Sequence, residues 1–308
     1  MRGFRFSFNI CQAESKEDFA KMCRRSEEYG YDVVLTADHL GMLAPFPALV
    51  AAADATDRLR VGTLVLNTSF WNPALLAREI LSTDLLTDGR LEVGLGASHM
   101  RWQFDEAGIP WEPIATRADR LASTVSELER HFTTEVGAPP EARGESRAVQ
   151  QRGFHRTGPP LLIGGVGDRV LRIAAEHADI VSISGVHQMH GKPAGMCRLG
   201  SAAEAADRVR FVREHAGARS ADLEWHMLAH AVEVTDDRRA AAEKLLRQLG
   251  MGISVEDALE TPYLLIGTVD EIAEQLVTNR ERYGFSYITV HQPYIEAFAP
   301  VIDKLRGS

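Results

Sequence analysis

An acidic residue and a histidine stand side by side at the end of an apolar run. Asp38 and His39 follow directly after residues 31–37 (YDVVLTA). An imidazole beside a carboxylate can donate or accept a proton near neutral pH, which suits general acid or base chemistry. The same two residues could instead be an ordinary polar pair where a strand ends. His39 is therefore a candidate for proton transfer, and its position alone does not decide between the two interpretations.

A glycine-rich turn points to a second kind of chemistry. Gly164, Gly165, Val166 and Gly167 separate an apolar run from the helical pattern DRVLRIAAEH. Unobstructed backbone N–H groups at the start of a helix can bind a phosphate. A tight turn between strand and helix could use the same glycines, and the spacing is not the GxGxxG fingerprint of dinucleotide-binding folds. The run is a candidate phosphate site with a plain turn as the alternative.

Two tryptophans and three side chains of metal-ligating type also stand out. Trp71 and Trp102 follow the third and fourth apolar runs, where they could wall a pocket for a planar ligand or simply anchor loops. His187, His190 and Cys197 have a spacing that matches no common zinc pattern. We therefore predict no metal site and interpret the Gly, Lys and Pro residues around these three as a mobile lid.

The elements that must position these residues follow from the alternation of apolar runs and amphipathic segments. Short β-branched runs alternate with helical patterns along almost the whole chain, which is typical of a βα repeat. The predicted strands cover residues 3–10, 31–37, 60–66, 90–95, 160–164, 179–184, 222–230 and 286–291. Eight strands that are apolar on both faces favour a closed (β/α)8 TIM barrel over the alternative, an open doubly wound sheet.

We predict one barrel domain over residues 1–308, with insertions near 134–158 and 185–200. Both stretches are too long for the minimal repeat, and long loops in compact domains are usually functional or disordered. Functional groups of such barrels come from the C-terminal ends of the strands, so the candidate residues should meet at one mouth. Alternation does not say whether Trp225 or His226 faces the interior.

One helix after the third strand carries a clear apolar pattern. Its leucines and isoleucine are predicted to form an ordinary stripe that packs on the core. They are Leu75, Leu76, Ile80, Leu81 and Leu85.

The composition excludes several classes of function. Lys and Arg number 34 against 43 Asp and Glu, the net charge is -9 and no basic cluster occurs, so we expect no nucleic-acid partner. Residues 1–10 alternate like a strand and lack the apolar stretch of a signal peptide. We expect a cytoplasmic protein without membrane contact, and three widely spaced cysteines fit a reducing compartment.

Four segments together resemble the luciferase-like monooxygenase superfamily. They look most like its branch that uses the deazaflavin coenzyme F420, and they follow in order along nearly the whole chain. The segments are GYDVVLTADHL (30–40), RLRVGTLVLNTSFWNPALLAREILSTDLLTDGRLEVGLGAS (58–98), PPLLIGGVGDRVLRIAAEHADIVSIS (159–184) and LLIGTVDEIAEQL (264–276). The resemblance implies a (β/α)8 barrel with insertions, a homodimer, and FMN or the deazaflavin at the C-terminal mouth.

The resemblance also implies roles for particular residues. Asp38 and His39 match the acid-histidine pair beside the deazaflavin ring, and Leu64 and Val65 match the place of a non-prolyl cis peptide behind that ring. Asn67 would lie at the ring edge. The resemblance places further contacts at Gly96 and Ala97 for the ring, and at Gly164, Gly165, Val166 and Gly167 for the phosphate of the tail.

Three residues depart from the pattern that the resemblance implies. His99 stands where related sugar-phosphate dehydrogenases have a catalytic glutamate, so it is a second candidate proton donor, with a loop role as the alternative. Trp71 replaces a basic residue, which argues against a phosphorylated sugar substrate. His291 replaces an expected acidic residue and indicates a changed substrate pocket, to which Trp102 could also belong.

The resulting hypothesis is a coenzyme F420-dependent oxidoreductase that transfers a hydride between the deazaflavin and a small or medium organic substrate. A separate enzyme would reduce the cofactor. The alternative is an FMN-dependent two-component monooxygenase that uses reduced flavin and oxygen. A third hypothesis is a non-catalytic relative, in which His39 and His99 could both be exchanged without effect.

Overall fold

The computed structural model describes residues 2–133, 158–193, 195–250 and 252–306. The predicted insertion near 134–158 lies outside these residues, apart from Gly158. The strands are β1 (Arg5–Ile10), β2 (Val33–Thr36), β3 (Arg60–Thr63), β4 (Leu66–Asn67), β5 (Leu91–Gly96), β6 (Leu161–Gly165), β7 (Ile180–Ile183), β8 (Val186–Gln188), β9 (Cys197–Leu199), β10 (Glu224–Ala229), β11 (Ala231–Val234), β12 (Leu264–Gly267) and β13 (Phe285–His291).

Helices follow most of the strands and form the outer layer. They are α1 (Lys16–Glu28), α2 (Pro45–Ala55), α3 (Pro73–Leu86), α4 (Arg101–Ala107), α5 (Ile114–Thr133), α6 (Asp168–His177), α7 (Ala202–Ala216), α8 (Arg238–Leu249), α9 (Val255–Glu260), α10 (Val269–Tyr283) and α11 (Ile295–Leu305). Several begin at recognisable start signals. Thr268 and Glu271 form a capping box at the start of α10, and Pro73 opens α3.

The main sheet is a closed parallel barrel. Its order is β3-β2-β1-β13-β10-β7-β6-β5-β4, and a further pairing between β3 and β5 closes the ring. β3 and β4 lie on either side of residues 64–65 and share one barrel position, so within the described residues eight positions complete the circle. This confirms the predicted (β/α)8 barrel and excludes the open doubly wound sheet.

The interior of the barrel is polar at its N-terminal end. Arg5 on β1 forms ion pairs with Glu92 on β5 and, at 2.7 Å, with Glu224 on β10. Arg60 pairs with Glu92 at 2.5 Å, and the Tyr287 hydroxyl donates to the same carboxylate at 3.1 Å. Burial alone would raise the pKa of Glu92, but the two guanidinium groups hold it below its usual range.

A second polar layer lies above this ion cluster. The two ring nitrogens of His226 bond to the Ser182 hydroxyl at 2.8 Å and to the Thr289 hydroxyl at 2.6 Å, and Thr289 bonds in turn to Ser7. Burial lowers the pKa of His226 to about 3. His226 thus faces the interior, whereas Trp225 turns outward to the guanidinium of Arg213 on α7.

The predicted apolar stripe of α3 is partly wrong. Leu76 and Ile80 are buried against the barrel, but Leu75 and Leu85 are 51% and 43% exposed. Leu76 of the pair Leu75-Leu76 faces the core and Leu75 the outer surface, whereas both members of the pair Leu85-Leu86 are exposed. The alternation of apolar residues alone does not separate a core stripe from a second apolar face.

Residues 185–200, predicted as a loop, contain an antiparallel hairpin. β8 and β9 pair from Val186 with Leu199 to Gln188 with Cys197. The tip of this hairpin reaches the segment after β5, because a Cβ atom added to Gly195 would lie 3.8 Å from the His99 carbonyl oxygen. The hairpin therefore crosses part of the barrel mouth.

No helix among the described residues is both long and apolar enough to cross a membrane.

Candidate active site

The C-terminal ends of the strands form a mouth whose floor is partly open. Leu228 on β10 and Gly164 on β6 are half-buried although their strands are otherwise almost fully buried, and Leu64 and Val65 are half-buried as well. Side chains in the middle of a closed barrel are normally packed out of contact with solvent. The mouth is therefore a concave surface with an apolar floor, and polar residues stand around it.

The Asp38 carboxylate organises one side of the mouth. Its Oδ2 accepts a hydrogen bond from the Trp71 indole Nε1 at 2.9 Å and another from the Asn67 backbone N–H at 3.1 Å. The Trp71 ring also packs edge-on against Phe46, with centroids 5.5 Å apart. Asp38 thus ties the end of β2 to the segment after β3, and it fixes Trp71 at the rim.

His39 follows β2 and takes its hydrogen-bond partner from helix α4. Its Nδ1 lies 2.6 Å from Nε2 of Gln103 on α4, and the same Nε2 lies 3.0 Å from the sulfur of Met100. Since the amide nitrogen donates and the thioether can only accept, this orientation makes Nδ1 of His39 an acceptor. The neutral imidazole then carries its proton on Nε2. Gln103 is 1% exposed and was not identified from the sequence.

His99 belongs to the segment after β5 and lies near His39 at the barrel mouth. The two rings are edge-to-face, with centroids 6.3 Å apart. Loss of hydration lowers the pKa of His99, and the charges of His39 and Arg117 lower it further, so the neutral imidazole is favoured. Its side chain still reaches solvent at the rim.

Arg117 on α5 holds the segment that carries His99. Its Nη1 donates to the carbonyl oxygens of Ala97 at 2.9 Å and Ser98 at 2.5 Å, and its guanidinium lies 3.8 Å from the centre of the Trp111 ring. Ser98 has a φ of 59°, in the left-handed region that L residues rarely adopt. Arg117 therefore secures an unusual backbone turn, and no local pattern in the sequence indicated it.

Two glycines leave space around Val65. A Cβ atom on Gly96 would lie 2.6 Å from Val65 Cγ2, and one on Gly164 would lie 3.5 Å from Val65 Cγ1. The peptide bond between Leu64 and Val65 is cis, at the position that the resemblance implies. The chain thus projects Val65 between the ends of β5 and β6, where side chains on the two glycines would crowd it.

The turn from Gly164 to Gly167 leads directly into α6. Gly167 is the N-cap residue of α6, and it offers no side chain to the free N–H groups of the first turn. Arg208 on α7 reaches this turn through an ion pair with Asp168 and a 3.5 Å contact to the Val166 carbonyl oxygen. Arg169, the nearest cation in sequence, instead pairs with Asp119 on α5 at 2.6 Å.

Trp102 and His291 are the remaining predicted residues. Trp102 is on α4 with 53% of its surface exposed. His291 ends β13 on another side of the mouth, where its ring centroid lies 6.2 Å from that of His230. Within the described ranges, no three His, Cys, Asp or Glu side chains are grouped as a metal site requires.

Comparison with known proteins gives a consistent result. A family model described as luciferase-like monooxygenase matches residues 5–287. The chain is 24% identical over 297 residues to a 5,10-methylenetetrahydromethanopterin reductase from Archaeoglobus fulgidus, which covers 87% of both chains. The match to the corresponding reductase from Methanolobus tindarius is 29% identical and spans only 54% of that enzyme.

Two further similarities concern proteins whose names mention F420. The chain is 29% identical over 127 residues to an F420-dependent glucose-6-phosphate dehydrogenase from Amycolatopsis mediterranei, and this match covers 38% of each chain. The structure of an F420-dependent secondary alcohol dehydrogenase superposes with a TM-score of 0.75 at 17% identity, over 99% of this chain and 100% of that one. The likeness in fold thus extends over nearly the full length of both chains.

Proposed function

Because the chain belongs to the luciferase-like monooxygenase family, we propose that it is a coenzyme F420-dependent oxidoreductase. It would transfer a hydride between the deazaflavin and a small or medium organic substrate. The observation that carries the proposal is His39, whose Nδ1 accepts from Gln103 and whose Nε2 proton is left for the mouth. The F420-dependent dehydrogenase similar to part of this chain supports the choice of cofactor.

The residues around Val65 suit a flat ring. Val65 fills the space beside Gly96, so its side chain forms a floor together with the half-buried Leu64 and Gly164. Asn67 brings an amide whose Nδ2 is buried without a hydrogen-bond partner. An unpaired buried amide costs about 1–3 kcal/mol, which a ligand carbonyl can offset. Asn67 would hold the edge of the deazaflavin ring, Leu64 and Val65 would support one of its faces, and Gly96 and Ala97 would approach it.

The turn before α6 suits the phosphate of the coenzyme tail. The positive end of the α6 dipole lies at Gly167, where the free N–H groups of the first helical turn begin, and we assign the phosphate to the turn of Gly164, Gly165, Val166 and Gly167. The negative charge of Asp168 in the first turn opposes an anion there, but Arg208 pairs with it. The arrangement therefore supports a phosphate contact made mainly by backbone groups.

The proposed chemistry depends on the imidazoles of His39 and His99, which would lie beside the deazaflavin ring. When bound, the deazaflavin supplies or accepts a hydride at its C5 atom. In the reductive direction His39 would first take up a solvent proton on Nδ1, with the Gln103 amide turned to present its oxygen, and would then give its Nε2 proton to the substrate atom next to the carbon that receives the hydride. Asp38 positions Trp71 as a wall of the substrate pocket, and His99 is the second candidate donor.

The test is an equilibrium fluorescence titration of the purified protein with F420 and with FMN, each oxidised and reduced. We expect tight binding of F420 and weak binding of FMN. The reverse preference would overturn the proposal. The family description itself favours the alternative, an FMN-dependent two-component monooxygenase, and oxygen consumption with a flavin reductase would then identify it.

We also propose that the protein is a homodimer in the cytoplasm and receives its coenzyme from a separate reducing enzyme. The outer face of α3 supports the dimer, because Leu75, Leu85 and Leu86 are 51%, 43% and 66% exposed on one helix. Light scattering of a Leu75→Glu, Leu86→Glu variant should show a monomer. The free thiols of Cys11, Cys23 and Cys197 fit a reducing compartment.

A further inference from the structure

Three neighbouring strands, β1, β13 and β10, place polar residues at matching levels of the barrel interior. Side chains of a strand alternate between its two faces, so every second residue points inward. Arg5 and Ser7 on β1 face inward, because they bond to Glu92 and Thr289 across the barrel. The next inward residue of β1 is Asn9, and its register partner on β13 is His291.

The third strand, β10, continues the same arrangement. His226 faces inward, and two and four residues later Leu228 and His230 follow on the same side. His230 contacts the segment after β7, because its Nε2 lies 2.9 Å from the carbonyl oxygen of Ser184. Asn9, His291, Leu228 and His230 therefore share one side of the mouth.

Hydrogen bonding fixes which atoms of this group remain available. Nε2 of His230 must carry its proton to donate to the Ser184 carbonyl, so its Nδ1 is an acceptor. Oδ1 of Asn9 is buried and has no hydrogen-bond partner, and Asn9 as a whole is only 5% exposed. The group thus offers two acceptor atoms, of which the buried Asn9 Oδ1 lacks a donor.

The group also carries no charge at neutral pH. Burial lowers the pKa of His230, and burial together with His230 lowers the pKa of His291 to about 4. None of the ion pairs found within the described residues includes either imidazole. A carboxylate or phosphate bound here would lose its hydration without meeting a counter-charge, which is strongly unfavourable.

We propose that Asn9, His230 and His291 form a substrate subsite for an uncharged group that carries an O–H or N–H donor, such as a hydroxyl, an amide or a lactam. The subsite begins on β1, which is the neighbour of the strand β2 that His39 follows, and it continues over β13 to the end of β10. This assignment rests on the proposed function, because it places the substrate beside the proposed proton donor. It explains why the site lacks the cations that a phosphorylated substrate requires.

A matched pair of probes tests the subsite directly. Benzamide and benzoate share one ring, but the first is neutral with N–H donors and the second is an anion. Ligand-observed NMR titrations should show benzamide binding at least tenfold tighter than benzoate. Asn9→Leu and His291→Phe should each weaken benzamide binding about three- to tenfold, which is the usual effect of one lost hydrogen bond.

A variant that binds benzoate more tightly must be folded, so it shows that weaker binding in the other variants is not caused by misfolding. His291→Arg should raise benzoate affinity at least tenfold and weaken benzamide binding, which an unfolded protein would not do. His177→Gln is the control, because His177 bonds to Glu129 between α6 and α5 and should leave both affinities unchanged. Equal or tighter binding of benzoate to the wild type, or no binding of benzamide, would overturn the proposal.

Imidazole NMR provides an independent readout. Two-bond ¹H–¹⁵N spectra at pH 7 should show His230 as the neutral Nε2–H tautomer and His291 as neutral. A protonated His291 at that pH would exclude the uncharged subsite. These measurements need no coenzyme, so they can fail while the F420 titration succeeds, or succeed while it fails, and the two proposals are therefore tested separately.

Discussion

The N-terminal end of the barrel interior and its C-terminal mouth are built on the same strands, yet they treat polar groups differently. At the N-terminal end Glu92 accepts from Arg5, Arg60 and Tyr287, and Glu224 pairs with Arg5 as well. Removing one member of such a cluster leaves a buried charge without compensation. This end therefore stabilises the fold, and it has no bonding capacity left for a ligand.

The mouth keeps buried polar atoms without partners. Oδ1 of Asn9, Nδ2 of Asn67 and the hydroxyl of Ser69 are all buried and unbonded. Such atoms destabilise a folded chain unless something outside it completes their hydrogen bonds. The comparison leads to a prediction, namely that the satisfied cluster serves stability and that the unpaired atoms of the mouth serve binding. Substitutions at the two ends should separate these two properties.

The largest effect should come from the mouth and should appear in turnover. His39→Ala removes the proton donor, so kcat should fall by about 10²–10⁴ with a substrate found in an anaerobic screen. Coenzyme affinity from fluorescence titration and the melting temperature should change little. Gln103→Leu is the graded control, because it keeps the imidazole and removes its 2.6 Å partner. Unchanged turnover in His39→Ala would exclude His39 from the mechanism.

A variant at the N-terminal end of the barrel should lose stability and keep its affinity for the coenzyme. Glu92→Gln leaves Arg5 and Arg60 without their shared carboxylate, and the free energy of unfolding should fall by about 3–5 kcal/mol in urea denaturation. F420 affinity measured on the folded fraction should stay within about twofold. Asn67→Ala at the mouth is the counterpart, and it should weaken F420 binding while costing less than about 1 kcal/mol of stability. A large loss of F420 affinity in Glu92→Gln together with a large loss of stability in Asn67→Ala would contradict the comparison.

The pH dependence of stability tests the layer between the two ends. The folded pKa values of His226 and His291, about 3 and 4, lie below the unfolded value near 6.5. The unfolded chain therefore binds more protons in this window. Stability should be complete above about pH 6.5 and should decline as pH falls toward 4, by up to about 1.4 kcal/mol per unit for fully buried His226 and less for half-buried His291.

Comparing variants isolates this contribution from that of the carboxylates. His226→Gln should lose less stability between pH 7 and pH 5 than the wild type, measured by urea denaturation at both values. Equal losses in the two proteins would show that His226 is not buried in its neutral form.

The smallest effect concerns two backbone turns at opposite ends of β5. Ser98 after the strand and Asp88 before it both have positive φ, 59° and 52°. Ser98→Gly should raise the free energy of unfolding by at most about 1 kcal/mol, because glycine adopts this conformation without strain. It should also lower kcat/KM severalfold by loosening the segment of His99. Asp88→Gly, the matched change at the N-terminal end, should leave kcat/KM unchanged.

Most of the barrel could be predicted from the sequence because its strands are short apolar runs between clear helix signals. The prediction failed where one pattern fits two environments. Leu75 and Leu85 have the period of a core stripe but lie on the outer surface. The residues of 185–200 form a hairpin, in which paired residues lie 9 to 13 positions apart along the chain.

The candidate site was predicted less completely than the fold. Asp38 and His39 were found because they adjoin a strand end. Gln103, Arg117 and Arg208 were missed because they come from helices distant in sequence and reach the mouth only in the folded chain. The bonding directions of His226 and His230 likewise depend on strand register, which one sequence does not contain.

The buried ion cluster also limits how a ligand can reach the barrel. Within the described residues, the charged side chains of Arg5, Glu92 and Glu224 and the hydrogen-bonded layer around His226 fill the interior below the mouth. A ligand of this barrel would therefore have to arrive and leave at the C-terminal ends of the strands.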